Sequence, residues 1–471
     1  MTETKNKYSR RPVKKKMDMT EGPLFGKIIR YSIPLILTGI LSLLYNAVDL
    51  IVVGRYSGTD ALAAVGATGS LNALMINVFL GISTGAGVVA AQHFGAKEES
   101  EVSKVLHTSV IAAFFGGLLL MVIGELFSGN FLAMMGTPDE ILPLSSQYMK
   151  IIFLGVPGNL IYNYCASVLR ASGDTKRPLI FLSISGVANV FLNLLLVIVF
   201  HMGVSGVAVA TIMSQYLSAT LMLLYLSKQE GALRFSFKLL RFDMKKFNRI
   251  LAIGIPCGIQ GSLFSISNVL IQSSVNSFGA VTMAGNSAAA NIEGFIYTAM
   301  NAIHHTSMNF TGQNVGARKY DRLMKVLFTC LVVVLAVWVL VGGSLLLFRE
   351  PLLALYVDRN EANFSEVIAV GCERMAVVGA TYFLCGILEV VTGSLRGMGK
   401  TLLPSIIQLI GACGFRIFWI YTVFKHWNSL TTLLISYPVS WILTATPLFI
   451  MCFTVKREFV RRDRESHRVT Q

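Results

Sequence analysis

The sequence carries little charge for its length. Only 14% of its 471 residues are Asp, Glu, Lys or Arg, and 54% are hydrophobic, whereas a soluble protein has about 25% charged residues. This composition excludes an ordinary soluble enzyme and indicates a polytopic membrane protein. The net charge of +15 falls in short segments between apolar runs, which is typical of membrane topology and not of a nucleic-acid surface. We therefore expect no nucleic-acid partner.

The sequence also lacks the motifs of the common catalytic classes. It has no Walker A phosphate loop, zinc motif or nucleophile elbow, so an enzyme is not expected. None of its seven cysteines is spaced as a metal or redox pair, and all lie in apolar runs as small buried side chains do. No cleavable signal-peptide pattern follows the basic N-terminus. We expect no cofactor beyond a coupling ion.

What the chain does have is long apolar runs, which predict an all-α polytopic membrane protein with 12 transmembrane helices. The runs are 28–53, 60–92, 104–128, 145–169, 178–200, 204–227, 249–277, 281–312, 324–347, 366–395, 402–424 and 430–454. They form two six-helix lobes of pseudo-symmetric structure. The predicted division is a basic tail (1–24), an N-lobe (25–228), a basic linker (229–246), a C-lobe (247–456) and a second basic tail (457–471).

The lysines and arginines are unevenly distributed between the two sides of the membrane. All but seven of the 40 lie near the termini, in the linker or in every second loop. The exceptions are Arg55, Lys150, Arg349, Arg359, Arg374, Arg416 and Lys425. Because basic segments stay in the cytoplasm, this bias predicts that both termini and the linker are cytoplasmic. It also requires an even number of spans, which twelve satisfies.

The two halves repeat each other. The matching stretches, in the same order, are 33–39 with 255–261, 92–97 with 313–318, and 169–178 with 395–404. Three such matches indicate a duplicated unit. Because each unit has an even number of spans, both enter the membrane from the same side, an arrangement typical of transporters with a central site.

The repeated motifs resemble those of the multidrug and toxic compound extrusion (MATE) family, prokaryotic type. Gly54-Arg55 follows the first helix, Gln-x-x-Gly-Ala-basic ends the second helix of each half, and Leu-Arg-x-x-Gly-x-Thr-x-x-Pro follows the fourth. The resemblance implies a V-shaped antiporter in a prokaryotic plasma membrane. Such a protein exports organic, often cationic and amphipathic, drugs or metabolites in exchange for H⁺ or Na⁺. We expect it to act as a monomer, with membrane lipid and a small organic substrate as its partners.

By position, the family's N-lobe ion site falls on Asp49, Asn189, Asn193 and Thr211. An ionisable residue in a membrane span costs about 3 kcal/mol unless it faces a polar interior, which makes Asp49 a candidate on physical grounds as well. Asn189 and Asn193 share a helix face at i,i+4, and helical rise places the set in the outer half of the membrane. One carboxylate among neutral oxygens suits a proton or Na⁺, and the choice stays open. The alternative is that these residues only hold helices together.

The second half carries a different set of charged residues within its spans, Glu293, Glu389 and Arg416. They are candidates for a substrate cavity or a proton relay, since a carboxylate lining a cavity attracts a lipophilic cation. The alternative is an internal ion pair between Arg416 and one of the glutamates. His304 and His305 are weaker relay candidates, because adjacent residues face different sides of a helix.

The alternative function is a flippase for lipid-linked oligosaccharides or other lipid-linked precursors, within the same superfamily. Such proteins resemble this one but usually have a strongly cationic cavity and extra helices. The acids within the spans outnumber Arg416, which favours the antiporter.

Overall fold

The computed structural model describes residues 17–357 and 363–469, which form helices and turns without a β-strand. The long helices are α1 (Leu24–Tyr56), α2 (Thr59–Gly95), α3 (Glu99–Met134), α4 (Leu142–Ala171), α5 (Lys176–Val199), α6 (Gly203–Ser227), α7 (Met244–Asn276), α8 (Ala280–Gly316), α9 (Asp321–Leu347), α10 (Phe364–Gly397), α11 (Leu402–Phe424) and α12 (Leu430–Val469). Each predicted span coincides with one of these helices. The predicted all-α membrane fold is confirmed.

Helix α8 carries several buried polar side chains. Within the described ranges, eleven helices are long and apolar enough to cross a membrane, and α8 is not among them. It carries Asn286, Glu293, His304 and Asn309, all of which are buried against neighbouring helices. Polar side chains placed between helices need not meet lipid, so a spanning α8 remains the prediction.

Four of the helices contain π-helical turns. Such a turn inserts one residue and changes which side chains face a neighbouring helix. Three of these turns adjoin polar residues of the interior: Leu195–Val199 after Asn193, Met375–Gly379 after Arg374, and Leu409–Gly414 before Arg416. The π turns therefore help to set the orientation of these side chains.

The two halves meet along α2 and α7, where glycines let the backbones touch. Gly85 of α2 faces Gly254 of α7, and a Cβ atom on Gly85 would lie 2.9 Å from the Gly254 nitrogen. Gly81 and Gly258 form a second such contact one turn away. Small residues allow this close approach of membrane helices. We call this contact the glycine seam.

Two matching glutamines join the halves at one end of the molecule. The Gln92 side-chain amide donates to the Gly397 carbonyl at 3.0 Å, and that of Gln313 donates to the Ala171 carbonyl at 2.7 Å. Gln92 and Gln313 occupy the same position of the repeated motif. Each half therefore holds the end of the other half's fourth helix in the same way.

The same end carries the described parts of the terminal segments and the linker, and we call it the basic end. Asn314 donates to the Met19 carbonyl at 3.2 Å, and the ring of Tyr320 stacks on that of Phe459 at 5.4 Å. The backbone N–H of Asp243 in the linker donates to a hydroxyl of α3 at 3.1 Å. The basic segments of the sequence thus come together in space.

The structure describes the two predicted tails to different extents. Residues 1–16 of the predicted tail 1–24 lie outside the described residues. The predicted tail 457–471 begins inside α12, which continues to Val469. Ion pairs one turn apart, such as Arg462 to Glu458 at 2.5 Å, stabilise a helix beyond the end of its apolar run.

Hydrogen bonds between the halves are concentrated toward the basic end. Ser262 of α7 donates to the Leu74 carbonyl of α2 at 3.3 Å. Among the described residues, no hydrogen bond joins the halves beyond this level. Polar contacts therefore hold the halves together on the side of the basic end.

Candidate functional site

The first polar cluster lies where α1 packs against α5. Asp49 of α1 accepts a hydrogen bond from the side-chain amide of Asn193. The same Nδ2 atom lies 3.2 Å from Asn189 Oδ1, one turn away on α5. Both asparagines are buried and Asp49 is half-buried. Because i,i+4 spacing turns both amides to one face, α5 presents two amides to a single carboxylate.

Thr211 joins this cluster from α6. Its side chain lies beside the Asp49 carboxylate, and its hydroxyl donates to the Val207 carbonyl of its own helix at 2.9 Å. The hydroxyl oxygen keeps lone pairs with which it can accept. The structure thus brings all four predicted residues together.

The cluster combines one carboxylate with neutral oxygens. Asn193 Oδ1 is buried and has no hydrogen-bond partner among the described residues, which leaves an acceptor near the carboxylate of Asp49. Carboxylate, amide and hydroxyl oxygens can surround a hard monovalent cation. A protonated carboxyl group could instead donate to an amide oxygen. The donor set therefore fits either coupling ion.

The second cluster contains a buried ion pair that differs from the predicted one. Arg374 of α10 contacts Glu293 Oε2 at 2.7 Å through Nη2 and donates to Asn286 Oδ1 at 2.7 Å. Both charged side chains are buried. The predicted alternative, an ion pair of Arg416 with a glutamate, is therefore wrong for Glu293, which pairs with Arg374 instead. The sequence alone places Arg374 only among the cations outside the basic segments. The available signal was that a cation within a span requires an acid nearby.

Glu389 lies in a longer polar chain. Its Oε2 atom is 2.9 Å from Nδ1 of His304, whose Nε2 is 3.2 Å from a guanidinium nitrogen of Arg396. Arg396 also donates to Gln260 Oε1 at 3.0 Å. The side chain of Glu389 is 19% exposed, so one end of this chain reaches the surface. The pairing partner of Glu389 is therefore His304, and an ion pair of Glu389 with Arg416 is also wrong.

Arg416 is buried without a carboxylate partner among the described residues. Its Nε atom donates to Ser440 Oγ at 2.9 Å, and its guanidinium lies 4.2 Å from the centre of the Tyr437 ring. The ring face of tyrosine attracts a cation. Arg416 is therefore held by a hydroxyl and an aromatic ring, apart from both glutamates.

Comparison with known proteins gives consistent matches over both halves. A family profile described as MatE matches residues 34–195 and 256–422. The probable multidrug resistance protein YoeA of Bacillus subtilis (strain 168) is 27% identical over 416 residues, which are 86% of this chain and 87% of that protein.

Two solved structures share the fold. A MOP superfamily transporter from Pyrococcus furiosus superposes with a TM-score of 0.87 at 19% identity, over 94% of this chain and 98% of that one. The outward-facing structure of a multidrug resistance MATE family transporter gives a TM-score of 0.86 at 19% identity, with the same coverage. At this identity the likeness establishes the fold alone.

Proposed function

Because the chain belongs to the MatE family of multidrug efflux transporters, we propose that it is a secondary active antiporter. It exports organic, cationic and amphipathic drugs or metabolites in exchange for H⁺ or Na⁺. The observation that carries the proposal is the Asp49 cluster, a carboxylate bound by Asn193 on a second helix and neighboured by Thr211 on a third. It moves its substrate without chemical change.

The coupling step is a change in the charge of Asp49. In the ionised state the carboxylate accepts the hydrogen bond from Asn193 and attracts a cationic substrate. When a proton or Na⁺ neutralises the carboxylate, its attraction for a cationic substrate is lost. The Asn193 amide oxygen, which lacks a partner, becomes the acceptor or ligand. These changes repack α1 against α5 and α6 and lower the affinity for the substrate.

Alternating access follows if the two states differ in affinity for ion and substrate. A ligand shifts a conformational equilibrium only by its differential affinity for the two states. One side chain, Asp49, serves both ligands, so binding of one disfavours the other. The same carboxylate would therefore couple the inward movement of the ion to the outward movement of the substrate.

The positive-inside bias supports the orientation. The basic end, with both termini and the linker, faces the cytoplasm of a prokaryotic cell, and the opposite end faces outward. We expect the monomer to carry out transport. The flippase alternative is less well supported, because the buried Arg374 is neutralised by Glu293 and does not add to a cationic cavity.

The test is transport by purified protein in liposomes, with a pH gradient and a Na⁺ gradient imposed separately. We expect one of the gradients to drive flux of a fluorescent organic cation. Asp49→Asn should reduce this flux at least tenfold, because Asn cannot change its charge, while the protein still inserts. Asp60→Asn is the matched control, since Asp60 lies in the first turn of α2 and is exposed.

The outcomes separate the parts of the proposal. Normal gradient-driven flux in the Asp49→Asn variant would rule out the assigned ion site. Flux that neither gradient alters, in the parent protein, would rule out antiport with H⁺ or Na⁺.

A further inference from the structure

A groove of about 610 Å³ opens on the outside of the helix bundle, beside the boundary between the two halves. Its walls come from α2, α3 and α4 of the first half and from α7 and the linker of the second. The floor includes the buried Ile82 and Tyr164, and the rim includes the exposed Phe115, Leu119 and Phe242. Its size is that of a small-molecule site. All of its lining side chains are apolar or aromatic.

The groove starts beneath the linker and runs along α3 away from the basic end. Phe242 of the linker lines the end nearest the basic end. Leu119 lies eight residues beyond Ile111, so the groove extends about 12 Å along α3. The groove is long and apolar, and it runs from the membrane surface toward the centre of the membrane. It can therefore hold an extended acyl chain.

The linker above the groove has the composition of a membrane-surface segment. Its apolar side chains Phe237 and Met244 are 78% and 60% exposed, which is costly in water. Exposed basic residues alternate with them along the linker, among them Lys238, Arg241 and Lys245. Exposed apolar side chains interleaved with Lys and Arg are typical of segments that lie at the headgroup level of an anionic membrane.

The exposed cations on either side of Phe242, which lines the groove, favour an anion. Arg241 and Lys245 have no carboxylate partner among the described residues. The nearby acid Glu101 is already bound by two lysines, at 2.7 Å to Lys104 and 2.6 Å to Lys246. The other nearby acid, Asp243, caps the start of α7 by accepting the backbone N–H of Lys246 and forms no ion pair with Arg241 or Lys245. These two cations are therefore available to a ligand.

From these observations we propose that the groove is a binding site for an anionic diacyl phospholipid. One acyl chain lies in the groove along α3, and the phosphate-bearing headgroup contacts Arg241 and Lys245. The lipid then touches α3 of one half and the linker and α7 of the other. Its occupancy stabilises the closed basic end, because it bridges parts that must separate when that end opens.

The test is a lipid titration of the purified full-length protein in detergent. The thermal unfolding midpoint is followed against added phosphatidylglycerol or phosphatidylcholine with identical acyl chains. We expect phosphatidylglycerol to raise the midpoint at lower concentration. In the variant R241Q/K245Q its apparent affinity should fall on the order of tenfold, given the usual contribution of a cation near an anionic headgroup.

Two control pairs define the site. R457Q/R464Q removes two exposed cations of α12, which does not line the groove, and should leave the affinity unchanged. Ala112→Phe fills the groove and should abolish the effect of phosphatidylglycerol, whereas Val122→Phe on the same helix, outside the groove, should not. If the Ala112→Phe protein does not fold, the lipid affinities of R241Q/K245Q and R457Q/R464Q still test the proposal.

The proposal is overturned by any of three results. Equal effects of the two lipids would mean that the headgroup is not recognised. An equal loss in R457Q/R464Q and R241Q/K245Q would mean diffuse charge attraction. An unchanged titration in a folded Ala112→Phe protein would mean that the chain lies elsewhere.

Discussion

The buried charges of the two halves are compensated in different ways. In the second half, the Tyr437 ring lies between two arginines, 5.6 Å from Arg374 and 4.2 Å from Arg416, and of these two only Arg374 has a carboxylate partner among the described residues. In the first half, the groups that contact Asp49 within the described ranges are neutral. The first half therefore has an acid without a basic partner, and the second half has an additional cation, Arg416. This contrast favours the first half as the place where a cation binds.

Replacing one partner of the Arg374–Glu293 pair should destabilise the protein, whereas replacing both partners should not. Arg374→Met leaves Glu293 buried without its partner, and we expect it to lower the free energy of unfolding by about 3–5 kcal/mol. The double variant E293Q/R374M removes both charges, so it should recover most of that loss. Thermal unfolding midpoints of the two variants in detergent measure the difference. A double variant no more stable than Arg374→Met would contradict the pairing.

At the scale of the helices, apolar runs predicted the positions well but not every end. Helix α11 has the predicted bounds, 402–424, whereas α12 runs well past the predicted 454. An apolar run marks the part of a helix that lies in lipid. The helix itself continues for as long as the following residues favour helical structure. The segment after 454 is rich in Lys, Arg and Glu, which are strong helix formers.

The first cluster could be located from sequence through the resemblance to the MATE family, and the second could not. The family's motif positions point to Asp49 and Asn193, and helical rise and i,i+4 spacing agree with that placement. By contrast, the partner of Glu293 depends on which face α10 turns toward α8. The π turn directly after Arg374 alters that face, and residue spacing does not reveal it.

The glycine seam makes a prediction about the contact of α2 with α7. Gly85→Ala places a Cβ atom against the backbone of Gly254, so the helices must move apart, and we expect a loss of about 1–3 kcal/mol in stability. Gly66→Ala on the same helix is the control, because nothing lies within 4 Å of its Cβ position. It should be neutral or slightly stabilising. Equal unfolding midpoints for the two variants would contradict the seam.

Across the whole molecule, the residues that the two halves share and the residues in which they differ lie in separate places. The repeated glutamines make equivalent contacts at the basic end, whereas Asp49 corresponds to Ile271 and Glu293 to Asn72 in the other half. Closure of the basic end therefore draws on both halves alike. The chemistry of the interior differs between them, as expected if only the first half handles the coupling ion.

The paired glutamine contacts should control how often the basic end opens. Q92A/Q313A removes three hydrogen bonds between the halves, because Gln92 also accepts one from Arg249 of α7. Each contributes about 0.5–1.5 kcal/mol, so the open population should rise about 10- to 2,000-fold. Spin labels at the exposed, equivalent positions Ser100 and Asp321 report the distance across this end by double electron–electron resonance. We expect a longer distance to appear in the double variant and not in Gln229→Ala, whose amide contacts only its own half. A distribution unchanged from the parent protein would show that closure rests on the glycine seam and not on the glutamines.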